Sequence, residues 1–366
     1  MNRRIFLKKS ARCMTLLGLN PILTGCRNDY YSVADFVEAP KIDVHFHYFT
    51  LNDSFLTYAH SLGMHLVSVN VNASESIDEQ LEIVLSLQKR YPGMMDFIGT
   101  FSVEEFGNND FADHIIARIE HCMNLGAKGI KIWKNIGMTL QDEQGNYVMA
   151  DHPAFVPVFT YLEKQGIPVM AHLGEPKNCW LPYDEMTMKS DLGYYQQNPQ
   201  YHMYRFPEKP SYAEQIVARD HLLERYPKLQ LIGAHIGSLE WSIDEVAKRF
   251  DAYPNFSVDL AARMSYLQLH TFYDREKLCS FLTKYQDRIL YGSDNEFRET
   301  NPNIKEEQQK RIHDTWLQHW KFIATGDLIP TNQFTLESAP KEIQGLRLPR
   351  TIVNKIFYGN TKRLFN

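Results

Sequence analysis

Two hydrophobic rhythms alternate along this chain. Short runs whose apolar residues are consecutive or fall on every second position give way to longer stretches where they recur every three or four. The exchange repeats from about residue 40 to the end. The first short run is KIDVHFH, Lys41 to His47. Later ones are MHLVSVNVN from Met64, MDFIGTFS from Met95, AKGIKIW from Ala127, IPVMAHL from Ile167, LQLIGAH from Leu229, NFSVDLA from Asn255 and RILYGSD from Arg288. Helical spacing fills the intervals. IDEQLEIVLSLQKR is stopped by Pro92-Gly93, FADHIIARIEHCMN is closed by Gly126, and REKLCSFLTKYQ precedes the last run. In PAFVPVFTYLEKQG, Pro153 suits the first turn and Asp151 is the expected N-cap. Strands that alternate with helices form a parallel sheet with helical crossovers. About eight of them favour closure into a (β/α)8 TIM barrel over an open doubly wound sheet. No glycine-rich fingerprint follows the first strand, which argues against a dinucleotide site.

One connection breaks the rhythm. Between the fifth strand and its helix, residues 174–211 form a long loop rich in Trp, Tyr, Pro, Asn and Gly, where such loops are ordinarily short. Substrate sites are built from loops at this end of a barrel, so the segment is expected to be a lid or a substrate wall.

Composition adds few constraints. The 366 residues are 44% hydrophobic and 23% charged with a formal charge of −5, which offers no electrostatic case for nucleic acid. The N-terminus does change the picture. MNRRIFLKKSARC is basic, and the apolar run after it is interrupted by Asn20 and Pro21, too short to remain as a spanning helix. Leu23-Thr24-Gly25-Cys26 resembles a bacterial lipobox, which implies cleavage before Cys26 and acylation of its sulfur. Arg3-Arg4-Ile5-Phe6-Leu7-Lys8 resembles the twin-arginine export signal. The expected organisation is a signal peptide at 1–25, a polar linker at 26–39 and the barrel at 40–366. The expected location is the bacterial cell envelope, with the membrane reached through the lipid alone. Cys122, Cys179 and Cys279 are far apart and odd in number, so they suggest neither a disulfide framework nor a thiolate metal site.

The chemistry gathers at strand ends. Alternate residues of a strand share a face, so His45 and His47 project together and can chelate one divalent metal. His172 ends the fifth run, His235 the sixth and Asp294 the eighth. In a barrel these ends converge on one mouth, so the set reads as a metal site.

This constellation resembles the amidohydrolase superfamily, and within it the amidohydrolase-related branch that includes aminocarboxymuconate-semialdehyde decarboxylase and lactone hydrolases. The resemblance runs from DVHFH to VNKIFYGNTKRLF at the C-terminus. It implies that His45, His47, His172 and Asp294 are metal ligands and that His235 is a catalytic histidine or a ligand of a second metal. It implies zinc most often, although nitrogen and carboxylate donors also suit manganese or iron. Such a set leaves a position open for water, whose pKa a cation brings down to about 7. Asp294 would orient that water and take its proton, and His235 would hydrogen-bond it or polarise a substrate carbonyl. Asp43 either orients the histidines from behind or is simply buried.

Lys131, near the end of the fourth run, has three readings. One is a carboxylated bridge between two metals, as in other branches of the superfamily; the others are a contact to a substrate anion or carbonyl and a structural lysine. Trp133, Glu175, Trp180, His202, Arg205, Glu240 and Arg263 are substrate-binding candidates from loops at the same mouth, with Arg205 or Arg263 suited to a carboxylate. The reading is a metal-dependent hydrolase that sets water on a lactone, ester or amide of a small molecule. The rivals are a metal-dependent, non-oxidative decarboxylase and a binding lipoprotein without turnover. A homodimer is compatible with the resemblance.

Overall fold

The computed structural model describes residues 29–73, 75–298 and 301–365. The signal-like segment and Cys26 lie outside the described residues. Among the described residues no helix is long and apolar enough to cross a membrane.

Nine parallel strands make the main sheet. They are β1 (Lys41–Tyr48), β2 (Met64–Val69), β3 (Met95–Thr100), β4 (Ile130–Ile132), β5 (Val169–Ala171), β6 (Leu231–Gly233), β7 (Phe256–Asp259), β8 (Ile289–Leu290) and β9 (Asn295–Phe297). Neighbours in the sheet are neighbours in sequence from β1 to β8, while β9 pairs with β1. β8 and β9 are two parts of one eighth strand. The first part pairs with β7 and the second with β1. Between them Val44 N donates to Tyr291 O (3.0 Å) and Asp294 N to His45 O (2.8 Å). The sheet therefore closes on itself, as the eight alternating runs predict.

β1 is not a plain alternating strand. Its register against β2 shifts between Asp43 and Phe46, the mark of a bulge. The extra residue matters because strict alternation would set Val44 and His45 on opposite faces. Instead Ile42 and Val44 join Val67, Val69, Ile98, Met170, Ile232 and Leu290 in one apolar cluster that fills the barrel. Phe46 and Tyr48 belong to the larger core between strands and helices, where Phe46 packs on Phe55 (5.6 Å) and Trp316 (6.2 Å). Burying each such phenylalanine contributes roughly 2–3 kcal/mol. The C-terminal helical segment, residues 350–365, packs Tyr358, Leu364 and Phe365 against the interior cluster. Asn360 Nδ2 donates to Gln286 O and Ile289 O (both 2.7 Å), which places this plug where β8 begins. The opposite, C-terminal end of the strands is left for chemistry.

Two local expectations change. The helix Val156–Gln165 is entered through a 3-10 turn, Pro153–Phe155, whose N-cap is His152, not Asp151; His152 Nδ1 accepts from Ala154 N (3.2 Å). Asp151 accepts instead from His221 Nδ1 at 2.6 Å. Within residues 26–39, Tyr31 packs on Trp320 (4.8 Å) and Trp320 Nε1 donates to Ser32 O (3.0 Å). The segment 174–211 is not an open loop. It is built from the turns Lys177–Trp180 and Tyr183–Glu185, the helix Lys189–Gln197, and the turns Pro199–Tyr201 and Met203–Arg205. Cys179, Met186, Tyr195 and Met203 form its own small core with Met138.

Candidate metal centre at the barrel mouth

The last residues of the strands hold the chain in costly conformations. His235, Ile236, Ala262 and Asp294 all have φ between 53° and 61°, a left-handed region that disfavours side chains by about 1–2 kcal/mol per residue. They follow β6, β7 and β8, so the strain sits where side chains must be turned into the mouth. Gly292 meets a related demand, since a Cβ there would lie 2.9 Å from the Cβ of His45.

Five Lewis-basic atoms converge there. Asp294 Oδ1 lies 3.3 Å from His45 Nε2 and 3.2 Å from His47 Nε2, and His235 Nε2 lies 3.2 Å from His172 Nδ1. Their tautomers follow from what stands behind each ring. His45 Nδ1 faces Asp259 Oδ2 (2.8 Å), His47 Nδ1 faces Val69 O (2.8 Å) and His235 Nδ1 faces Ala261 O (3.0 Å). A carboxylate and two carbonyls can only accept, so these three rings carry hydrogen on Nδ1 and turn an Nε2 lone pair inward. His172 is boxed in either way. With its proton on Nδ1, the buried Nε2 has no hydrogen-bond partner among the described residues and faces Glu175 Oε2 at 3.7 Å. With the proton on Nε2, its Nδ1 lone pair opposes that of His235.

The Lys131 ammonium lies 3.1 Å from His45 Nε2, but the lone pairs of the other rings still face one another and the carboxylate, and they repel unless a further cation stands among them. Extra protons are a poor answer. Burial pushes the His172 imidazole down to about 4 and holds His235 well below its ordinary value. Burial and then the Lys131 ammonium depress His45. Burial works to raise the Asp294 carboxyl, but positive charge on the side of His235, His45 and His47 holds it well below its ordinary value, and a cation among those rings would supply that charge. The donor set therefore fits a divalent metal, with His45, His47, His172, His235 and Asp294 as the residues that would hold it. Within it His45, His235 and Asp294 offer ligand atoms all within 4.8 Å of one another.

The Amidohydrolase family matches residues 42–366. The chain belongs to that family. It is an enzyme of the amidohydrolase superfamily, with a closed parallel barrel and a cluster of His45, His235 and Asp294 at its mouth. No curated protein matches it. Among solved structures it is similar to 2,6-dihydroxybenzoate decarboxylase from Rhizobium, with 17% identity, 89% of this chain and 98% of that chain covered and a TM-score of 0.49. It is also similar to 5-carboxyvanillate decarboxylase from Sphingomonas paucimobilis (13% identity, 86% and 83% covered, TM-score 0.44). The phosphotriesterase from Mycobacterium tuberculosis is a third (10% identity, 92% and 96% covered, TM-score 0.41).

The other residues of this amidohydrolase fall into two groups. Lys131 is fully buried and its Nζ lies 3.1 Å from His45 Nε2, with burial bringing the ammonium down to about 8. Glu175 is buried in an ion pair with Lys134, and Trp133 stands beside them, 5.9 Å from the Lys134 ammonium. Glu240 and Arg263 are buried. By contrast, Trp180 and one nitrogen of His202 bond to the segment that carries them, while His202 Nδ1 is buried with no hydrogen-bond partner among the described residues. His202 stacks on Tyr183 (4.6 Å) and Tyr195 (5.6 Å) and donates from Nε2 to Leu181 O, while Trp180 Nε1 donates to Pro210 O. Arg205 is exposed. Asp43 acts on the backbone: it accepts from Ser293 N, Ser293 Oγ, Trp316 Nε1 and His45 N, and so ties β1 to the split strand without touching an imidazole.

Two residues escaped the sequence reading. Asp259 is wholly buried and, besides holding His45, accepts from His235 N (2.7 Å) and Ala261 N (3.1 Å). Its signal was an aspartate near the end of the seventh apolar run, two residues short of the run's last position. Lys134, which follows Trp133, had no signal beyond its charge.

Proposed function

We propose that the chain is a metal-dependent hydrolase that directs water at a lactone, ester or amide bond of a small molecule. The observation that carries this is the convergence of unprotonated imidazole nitrogens and an ionised Asp294 on one space. A divalent cation held there, most suitably zinc, supplies a Lewis acid and makes a neighbouring water acidic near pH 7. Asp294 is ionised and partly exposed, so its carboxylate orients that water and accepts its proton. His235 keeps its hydrogen on Nδ1, against Ala261 O, and so meets the reacting centre only as an acceptor or ligand. Asp259 fixes the rings of His45 and, through the backbone, His235.

A decarboxylase is the second reading, favoured by Lys131. Its ammonium, held at about 8, is a buried acid beside the centre at neutral pH, and decarboxylation needs a proton returned to carbon. Turnover of a lactone, ester and amide panel by metal-loaded protein, with product analysis, decides between them. Hydrolysis adds one water to the substrate, whereas release of carbon dioxide from an aryl or enol acid without such addition would overturn the hydrolase. Leu23-Thr24-Gly25-Cys26 further supports attachment to the bacterial envelope through a lipid on Cys26.

A further inference from the structure

Beside the metal centre, two complementary polar groups are buried without partners. Glu240 is 1% exposed and Arg263 8%. Glu240 Oε2 and Arg263 Nε each lack a hydrogen-bond partner among the described residues. Leaving a buried donor or acceptor unmade is costly, so an acceptor and a donor left open together call for a ligand group. Both stand on the loops that carry the site. Arg263 stands two residues after Ala261, whose carbonyl fixes His235. Glu240 comes five residues after His235, and its other oxygen, Oε1, accepts from Lys177 N (2.8 Å) at the root of the segment 174–211.

The surroundings decide what the group is. Arg263 lies in the field of Asp191, Glu240 and Glu175. Lys134 already neutralises Glu175, while Asp191 is held by the neutral donors Asn178 Nδ2 and Tyr266 OH. One guanidinium thus faces Asp191 and Glu240, whose own carboxyl burial raises to about 7, and its Nη1 donates to Ala262 O (3.0 Å). A ligand carboxylate would compete with both for that one cation, whereas a neutral amide adds no charge beside Glu240.

We propose that Glu240 and Arg263 form a specificity subsite for an uncharged amide-like edge of the substrate, one N–H donated to Glu240 Oε2 and one carbonyl accepting from Arg263. This rests on the metal-centred reading above, because it places the amide beside the bond that reacts.

Hydroxamates test it by binding, without turnover. The hydroxamate end chelates metal, and malonyl, succinyl and glutaryl spacers carry a carboxamide, a carboxylate or a methyl group to the far end. Calorimetry on metal-loaded protein should show, for at least one spacer, the carboxamide binding about tenfold tighter than the methyl compound, and the carboxylate no tighter than the methyl. Glu240→Gln keeps an oxygen for Lys177 N, and in it the carboxamide preference should fall to about threefold or less. Equal affinities, a carboxylate that binds tightest, or an unchanged preference in folded Glu240→Gln would each overturn the subsite while leaving the metal centre intact. Failure of every hydroxamate, the methyl compounds included, would instead remove the metal centre and the subsite with it.

Discussion

At the scale of the residue, the site is defined less by its ligands than by what stands behind them. His45, His47 and His235 turn their Nε2 atoms inward because Asp259, Val69 O and Ala261 O hold the opposite nitrogens. Asp259→Asn offers His45 an amide in place of an anion and removes a negative charge from behind the centre. Metal affinity should fall about 10- to 100-fold, as for other partners behind a ligand. Competition with a chelator measures it, and unchanged affinity would remove Asp259 from the account. Asp294→Asn is nearly isosteric but is a far weaker base. Compared at equal metal occupancy, turnover should fall about 10²-fold or more; near-normal turnover would show that Asp294 does not move the proton. The histidines that converge at the mouth were legible because few residue types bind metal and a barrel mouth admits few positions. Their backbone partners were not, since every residue has a carbonyl and nothing in the sequence says which one a ring will meet. The bulge that brings Val44 and His45 both inward leaves no compositional mark.

At the scale of the element, the segment 174–211 is fastened at its root. Glu175 pairs with Lys134, Glu240 accepts from Lys177 N, and Asn178 donates to Asp191 Oδ2 (2.9 Å) and Tyr266 OH (2.8 Å). Burial works to raise the Glu175 carboxyl, but the Lys134 ammonium outweighs it and holds the group well below the usual range. A carboxyl depressed in the fold contributes stability above its unfolded pKa of about 4.3 and loses it as pH falls below that value. Glu175→Gln leaves a buried ammonium unpaired, which costs about 3–5 kcal/mol at pH 7. Denaturant titrations should find that gap constant from pH 7 to 5 and narrowing below about 4.3. A gap independent of pH would mean that the pair is not what holds the root. The length and aromatic content of this segment were plain in the sequence, but its short helices were not. Its Met, Tyr and Cys residues pack on one another without the long amphipathic period that announces a helix.

At the scale of the whole molecule, the eight-fold alternation of patterns was the most legible feature, because a closed parallel barrel imposes it on the entire chain. The split of the last strand was not, since the break at Asp294 reflects its left-handed backbone and not a change in hydrophobicity. Attachment to the envelope is testable apart from the fold. Cys26→Ala should abolish labelling by a fatty-acid analogue, and undiminished label would refute the lipobox. The barrel interior and outer core are apolar and do not include the ligands, so the metal site can be removed from a folded protein. The most direct measurement is therefore elemental analysis of wild type and the His45→Ala, His47→Ala double variant, both shown to be folded by circular dichroism. The account predicts about one divalent metal per wild-type chain and little in the variant; full occupancy in the folded double variant, or no metal retained by the wild type, would contradict it.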